Sequence, residues 1–148
     1  MHEEVRTSAV VLLPYTPSSV AVARRDLVSE LAAAGIHEQA VGDAALVVSE
    51  LLSNAIRHAR PLPGASLQVA WAVDDESVEV AVSDGGAPTR PHPGHASVSS
   101  LGGRGLDIVD YLASTWGVRN DPSGLTVWAV LAAPGGSPQA ATAGAGAL

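Results

Sequence analysis

The sequence predicts an α/β two-layer sandwich: a mixed, mostly antiparallel sheet with helices on one face. Three observations point there. Short apolar runs are twice paired across turn residues, which is a hairpin signal. Three segments carry apolar residues at helical spacing. The order along the chain is β-α-α-β-β-loop-α-β-β, and neighbouring hairpins favour antiparallel pairing with the helices gathered on one side.

Residues 1–7 are polar and read as a flexible N-terminus. Ala9 to Leu13 is an apolar run ended by Pro14, which suits a strand. Thr16-Pro17-Ser18-Ser19 offers a capping hydroxyl with a proline in the first turn of a helix. Val20, Leu27, Leu31 and Ala34 continue that helix to Gly35, a C-terminal stop. A second helix is expected from about His37 to Arg60, before Pro61. Leu67 to Val73 and Val78 to Val82 form a hairpin around Asp74-Asp75-Glu76. Residues 85–103 are rich in Gly, Pro and Ser, hold His92 and His95, and have almost nothing apolar. A loop of that length inside a compact domain is usually functional. A third helix spans Leu106 to Leu112, followed by strands at Thr115–Val118 and Leu125–Leu131 around the turn Asn120–Gly124. Residues 134–148 contain only Pro, Gly, Ser, Gln, Ala, Thr and a final Leu, and read as a disordered tail. One domain over 8–133 is the expectation.

Composition narrows the function. A chain of 148 residues is one domain's worth and can bury a core without staples. There is no cysteine, hence no disulfide, thiolate nucleophile or Cys metal site. There is no lysine either, since all 8 basic residues are arginine. That excludes a P-loop lysine, a kinase strand lysine and a Schiff-base lysine. A net charge of −7 argues against nucleic acid as a partner. No apolar run reaches the ~18 residues of a membrane span, and Met1-His2-Glu3-Glu4 lacks the start of a signal peptide. A cytoplasmic protein is expected.

In the second helix, Ala44, Val47, Val48, Leu51, Leu52, Ala55, Ile56 and Ala59 fall on one broad arc at about 100° per residue. Glu50, Asn54 and His58 stand four apart along the edge of that arc. A carboxamide oxygen can ligate a hard cation such as Mg²⁺, and a carboxylate one turn away can accept a proton. Glu and Asn are also ordinary residues of a helix edge, so this segment alone decides nothing.

Two glycine clusters follow. Asp84-Gly85-Gly86 ends a strand, where glycine permits close approach of backbone to a ligand and a buried aspartate can accept from an exocyclic amine. The same residues suit a simple Asx turn. Gly102-Gly103-Arg104-Gly105 opens into the third helix. Unpaired N–H groups and the positive end of the helix dipole make that an anion site, with Arg104 as a further donor. A flexible hinge would use the same residues.

Taken as an ordered set, these segments resemble the GHKL ATPase superfamily. Glu50-x-x-x-Asn54 is similar to its N box, Asp84-x-Gly86 to its first glycine box, Gly103-x-Gly105 to its second, and residues 87–101 to a short ATP lid. The nearest resemblance is to the RsbW-like anti-sigma-factor serine kinases of actinobacterial type. It is carried by Ser49 to Ala59, Gly103 to Leu106 and Trp116-Gly117-Val118, and it covers residues 8–132. The resemblance implies ATP and Mg²⁺ as cofactors. It implies that Asn54 holds the metal, Glu50 acts as general base, and Asp84 binds the adenine amine with Gly86 beneath the ring. Gly103, Arg104 and Gly105 would cradle phosphates, Thr126 would lie near adenine, and His58 would belong to the nucleotide site. The implied partners are a sigma factor and a STAS-domain anti-anti-sigma protein. The first glycine box is compressed relative to the family, and Leu125 stands where relatives often carry lysine.

Three functions compete at this point: a serine/threonine protein kinase, a non-catalytic ATP-gated switch that sequesters a regulator, and the catalytic half of a histidine kinase working in trans. Glu50 favours the first, because binding alone needs no base. The first helix is the surface the sequence offers for a homodimer.

Overall fold

The structure is a computed structural model, and it describes residues 7–86 and 106–133. The expected lid at 87–101, the Gly102–Gly105 cluster and the tail at 134–148 lie outside the described residues, as do residues 1–6. Among the described residues there are five strands and three helices: β1 Thr7–Pro14, α1 Ser18–Ala33, α2 Glu38–His58, β2 Ser66–Val73, β3 Ser77–Asp84, α3 Leu106–Leu112, β4 Thr115–Asp121 and β5 Gly124–Ala132. The sheet order is β1-β2-β3-β5-β4, antiparallel at each of its pairings. β5 therefore inserts between β3 and β4, and α3 packs against α2 and β4.

Strand alternation builds the layer boundary. Leu67, Val69, Trp71 and Val73 of β2 and Val78, Val80 and Val82 of β3 are buried toward the helices. Ala129 and Leu131 of β5 join them. From α2, the predicted arc is buried at Ala44, Val47, Val48, Leu51, Leu52 and Ala55, with Ile56 and Ala59 packed partly against it. α1 contributes Ala23, Leu27 and Leu31. The core is thus aliphatic apart from Trp71. Trp71 keeps its indole N–H satisfied by donating to Glu30 Oε1 at 2.8 Å.

Local chemistry sets the boundaries. The residue preceding α1 is Pro17, and no side chain caps its N-terminus. The expected hydroxyl cap is absent because Thr16 Oγ1 pairs with Ser18 Oγ at 2.9 Å instead. α2 starts at Glu38 rather than His37, whose Nδ1 accepts from the Gln39 N–H at 3.1 Å. In the β2–β3 turn, Asp74 Oδ1 accepts from the N–H groups of Glu76 and Ser77, each at 2.8 Å. The Glu76 bond is the larger cause that holds the Asp74 carboxyl below its usual range. β4 extends to Asp121, past the expected end at Val118. Asn120 and Asp121 pair with Leu125 and Gly124, so the turn tightens to Pro122-Ser123. No described helix is long and apolar enough to cross a membrane.

Candidate functional site

α2 delivers Asn54 to the layer boundary. It is 7% exposed, and its Oδ1 has no hydrogen-bond partner. A buried amide oxygen left without a donor costs about 1–3 kcal/mol, so the position calls for a cation, a water or a ligand. His58, one turn further on, is half-buried and lines the same cavity.

Asp84 ends β3 and is 3% exposed. Its Oδ1 accepts from the Gly86 N–H at 2.7 Å, so the Asx turn forms. Burial pushes its carboxyl up to about 6, and the Gly86 N–H bond opposes that shift only in part. The turn is held by reciprocal backbone bonds. Arg60 N–H donates to Gly86 O at 2.8 Å, and Gly85 N–H donates to Arg60 O at 2.7 Å. That exchange brings the backbone so close that a Cβ on Gly85 would stand 2.3 Å from Pro61 O. Gly86 takes φ +96°, a left-handed conformation that favours glycine, and a Cβ there would meet nothing within 4 Å. The glycine pair therefore has two separate causes: Gly85 for packing, Gly86 for conformation and an open backbone.

Asn54, His58 and Asp84 share one cavity of about 30 Å³, walled by Leu51 and Val82 and by Leu125 and Val127 of β5. That volume suits one or two waters. Gly103, Arg104 and Gly105, expected from the sequence to bind phosphates, lie outside the described residues. Glu50 is half-buried one turn before Asn54 and is not in the cavity wall.

Thr126 is buried, pairs with Ser83 and bonds Ser83 Oγ at 2.7 Å on the sheet face away from the helices. Leu125, the register partner of Asp84, occupies the cleft side instead. The reason is parity. Counting back in steps of two from buried Leu131 and Ala129 reaches Val127 and Leu125, never Thr126. That signal was available in the strand pattern. Tyr15 was not foreseen. Its hydroxyl reaches Ile56 O at 2.9 Å and also Ala59 O, and so ties the β1–α1 turn to the end of the helix that carries Asn54 and His58.

The fold and this cavity define a two-layer α/β domain with a small, largely apolar pocket between helix and sheet that holds Asn54, His58 and Asp84. The chain belongs to the histidine kinase-like ATPase domain family, which it matches over residues 13–131. A family of ATPase domains implies nucleotide binding. Among solved structures, the chain is similar to the RsbU and RsbW domains of Rv1364c from Mycobacterium tuberculosis, with a TM-score of 0.66 at 22% identity. That likeness, which shows the fold, covers 86% of this chain and 33% of the other. A search of curated proteins gives no match.

Proposed function

We propose that the protein is a Mg·ATP-binding regulator: an anti-sigma factor with serine/threonine kinase activity toward a STAS-type anti-anti-sigma protein. The observation that carries the nucleotide part is Asn54 Oδ1, buried without a hydrogen-bond partner and sharing a cavity with Asp84 in a chain of this ATPase family. The residues fit the metal. A carboxamide oxygen is a hard neutral donor, and Mg²⁺ commonly takes one or two protein ligands, with waters and phosphates completing its shell. When bound, Mg²⁺ neutralises charge on the transferring phosphoryl group.

This chain's own residues do the rest. Asp84 in its ionised form accepts the adenine amino N–H, and Gly86 leaves room beneath the ring. His58 contributes to the cleft wall. Gly103, Arg104 and Gly105 bind phosphate oxygens. Glu50 takes the proton of the partner serine as its Oγ bonds to phosphorus and the bond to the leaving diphosphate breaks. The RsbW domain in a protein of similar fold supports a sigma factor and a STAS protein as partners, and the outer face of α1 is the surface we assign to a homodimer.

The second reading, an ATP-gated switch without transfer, draws on one observation, that Glu50 stands outside the cavity wall, and on Leu125 standing where the resemblance implies that a lysine is often found. Labelled ATP incubated with candidate STAS proteins separates the two. The kinase reading expects label on the partner and a loss of roughly 10²–10⁴-fold in Glu50→Gln with nucleotide binding kept. Sigma-factor binding that requires nucleotide, with no label transferred, would leave the switch.

A further inference from the structure

The helices cover one face of the sheet, and the other face carries a polar row that the nucleotide cleft does not use. Gln68, Ser83, Thr126 and Arg119 are successive register partners across β2, β3, β5 and β4. Strand alternation puts all four side chains on the face away from the helices. Together they line a recess of about 290 Å³. Its floor is the hydroxyl pair of Ser83 and Thr126, 2.7 Å apart, with Thr126 only 9% exposed. One hydroxyl donates to the other, so the acceptor's own proton is left to donate outward.

Every polar side chain of the row can donate. Arg119 brings a guanidinium fork and Gln68 an amide NH₂. Arg119 is exposed. The nearest acid of the same face on β3 is Glu79, four residues before Ser83. That is about 13 Å along the strand, beyond a screening length of about 8 Å. Asp84 also lines the recess, but its carboxylate belongs to the cleft on the other side. The neighbouring positions Ala70 and Ala81 are small and apolar, which shapes a concavity and lowers its local dielectric.

We propose that this recess is a second ligand site, for a small oxyanion of carboxylate or phosphate type. Arg119 forms the charged, bidentate contact, and the Ser83–Thr126 pair and Gln68 supply the neutral donors. It stands back to back with the nucleotide cleft: Asp84 and Leu125 are in the walls of both. An anion seated on Ser83 therefore acts on the residue next to Asp84, through one peptide unit of β3. The site accounts for the placement of Thr126, whose hydroxyl is turned to this face.

The full chain, ¹⁵N-labelled and held at constant ionic strength with chloride, is titrated with sodium phosphate and separately with sodium acetate. The expected result is saturable shifts centred on Ser83, Thr126 and Arg119 with at least one of the two ions, and the ion that gives them names the ligand type. Arg119→Gln, an exposed change that leaves the core intact, should weaken binding at least tenfold. Thr126→Val should weaken it too, and Asn54→Ala should leave it unaltered. Shifts that rise linearly without saturating, shifts confined to Asn54 and Asp84, or an unaltered affinity in Arg119→Gln would each overturn the site. Failure there leaves the nucleotide cleft untouched, since that reading rests on Asn54.

Discussion

Asp84 sits where its own charge is disfavoured. Burial raises its carboxyl to about 6, whereas an unfolded chain ionises aspartate near 3.9. Between those values the folded protein binds more protons than the unfolded one, so this group's contribution to stability falls as pH rises from about 4 to about 6, then levels. Denaturation midpoints at pH 4, 5, 6 and 7 should show that decline, and Asp84→Asn should remove it while keeping an acceptor for Gly86. Asp74, shifted the other way, acts below about pH 4 and does not mask the effect. A ligand amine prefers the ionised carboxylate, so adenine-nucleotide affinity should weaken as pH drops through 6, by at most about tenfold per pH unit. Calorimetric titrations at pH 5 and 7.5 check this. The sequence made Asn54 and Asp84 legible because each marks a pattern: a helix edge at fourfold spacing, and a strand end before glycine. Strand parity adds Leu125, which a motif match alone does not single out, to the wall of the same cavity.

The two elements that carry the site share the apolar core, and backbone bonds tie their ends together. α2 ends at His58, and Arg60 then donates to Gly86 O and accepts from the Gly85 N–H. Gly85→Ala drives a methyl into Pro61 O. It should cost about 1–3 kcal/mol, the range for forced overpacking, read as a shift in urea midpoint. Tyr15→Phe keeps the ring but releases the carbonyls of Ile56 and Ala59. A loss of about 1 kcal/mol is expected, with faster hydrogen exchange at Ala59 and Arg60 than elsewhere in α2. Neither restraint could be read from the chain, since each joins residues that only the fold brings together. Element identities were legible, because periodicity of 3.6 or 2 survives in single segments. Their ends were less so. The α1 cap failed because two hydroxyls paired with each other, and β4 ran on because an edge strand tolerates Asn120 and Asp121.

At the scale of the molecule, the order of elements implied a two-layer sandwich, and the described sheet is antiparallel at each pairing. The insertion of β5 between β3 and β4 was not legible, because a hairpin looks the same in sequence whichever of its strands faces the sheet. That insertion matters. It sets Leu125 beside Asp84 in the cleft, and Thr126 beside Ser83 on the far side. The family match over residues 13–131 places the cleft in an ATPase fold. The central claim is that Asn54 holds the metal of a bound Mg·nucleotide. Isothermal calorimetry of the full chain with ATP, with and without Mg²⁺, against Asn54→Ala tests it most directly. The account predicts saturable binding that needs Mg²⁺ in the wild type, and at least tenfold weaker binding with no Mg²⁺ dependence in a folded Asn54→Ala. A folded wild type that binds no adenine nucleotide, or an Asn54→Ala variant that binds with wild-type affinity and the same Mg²⁺ dependence, would contradict it.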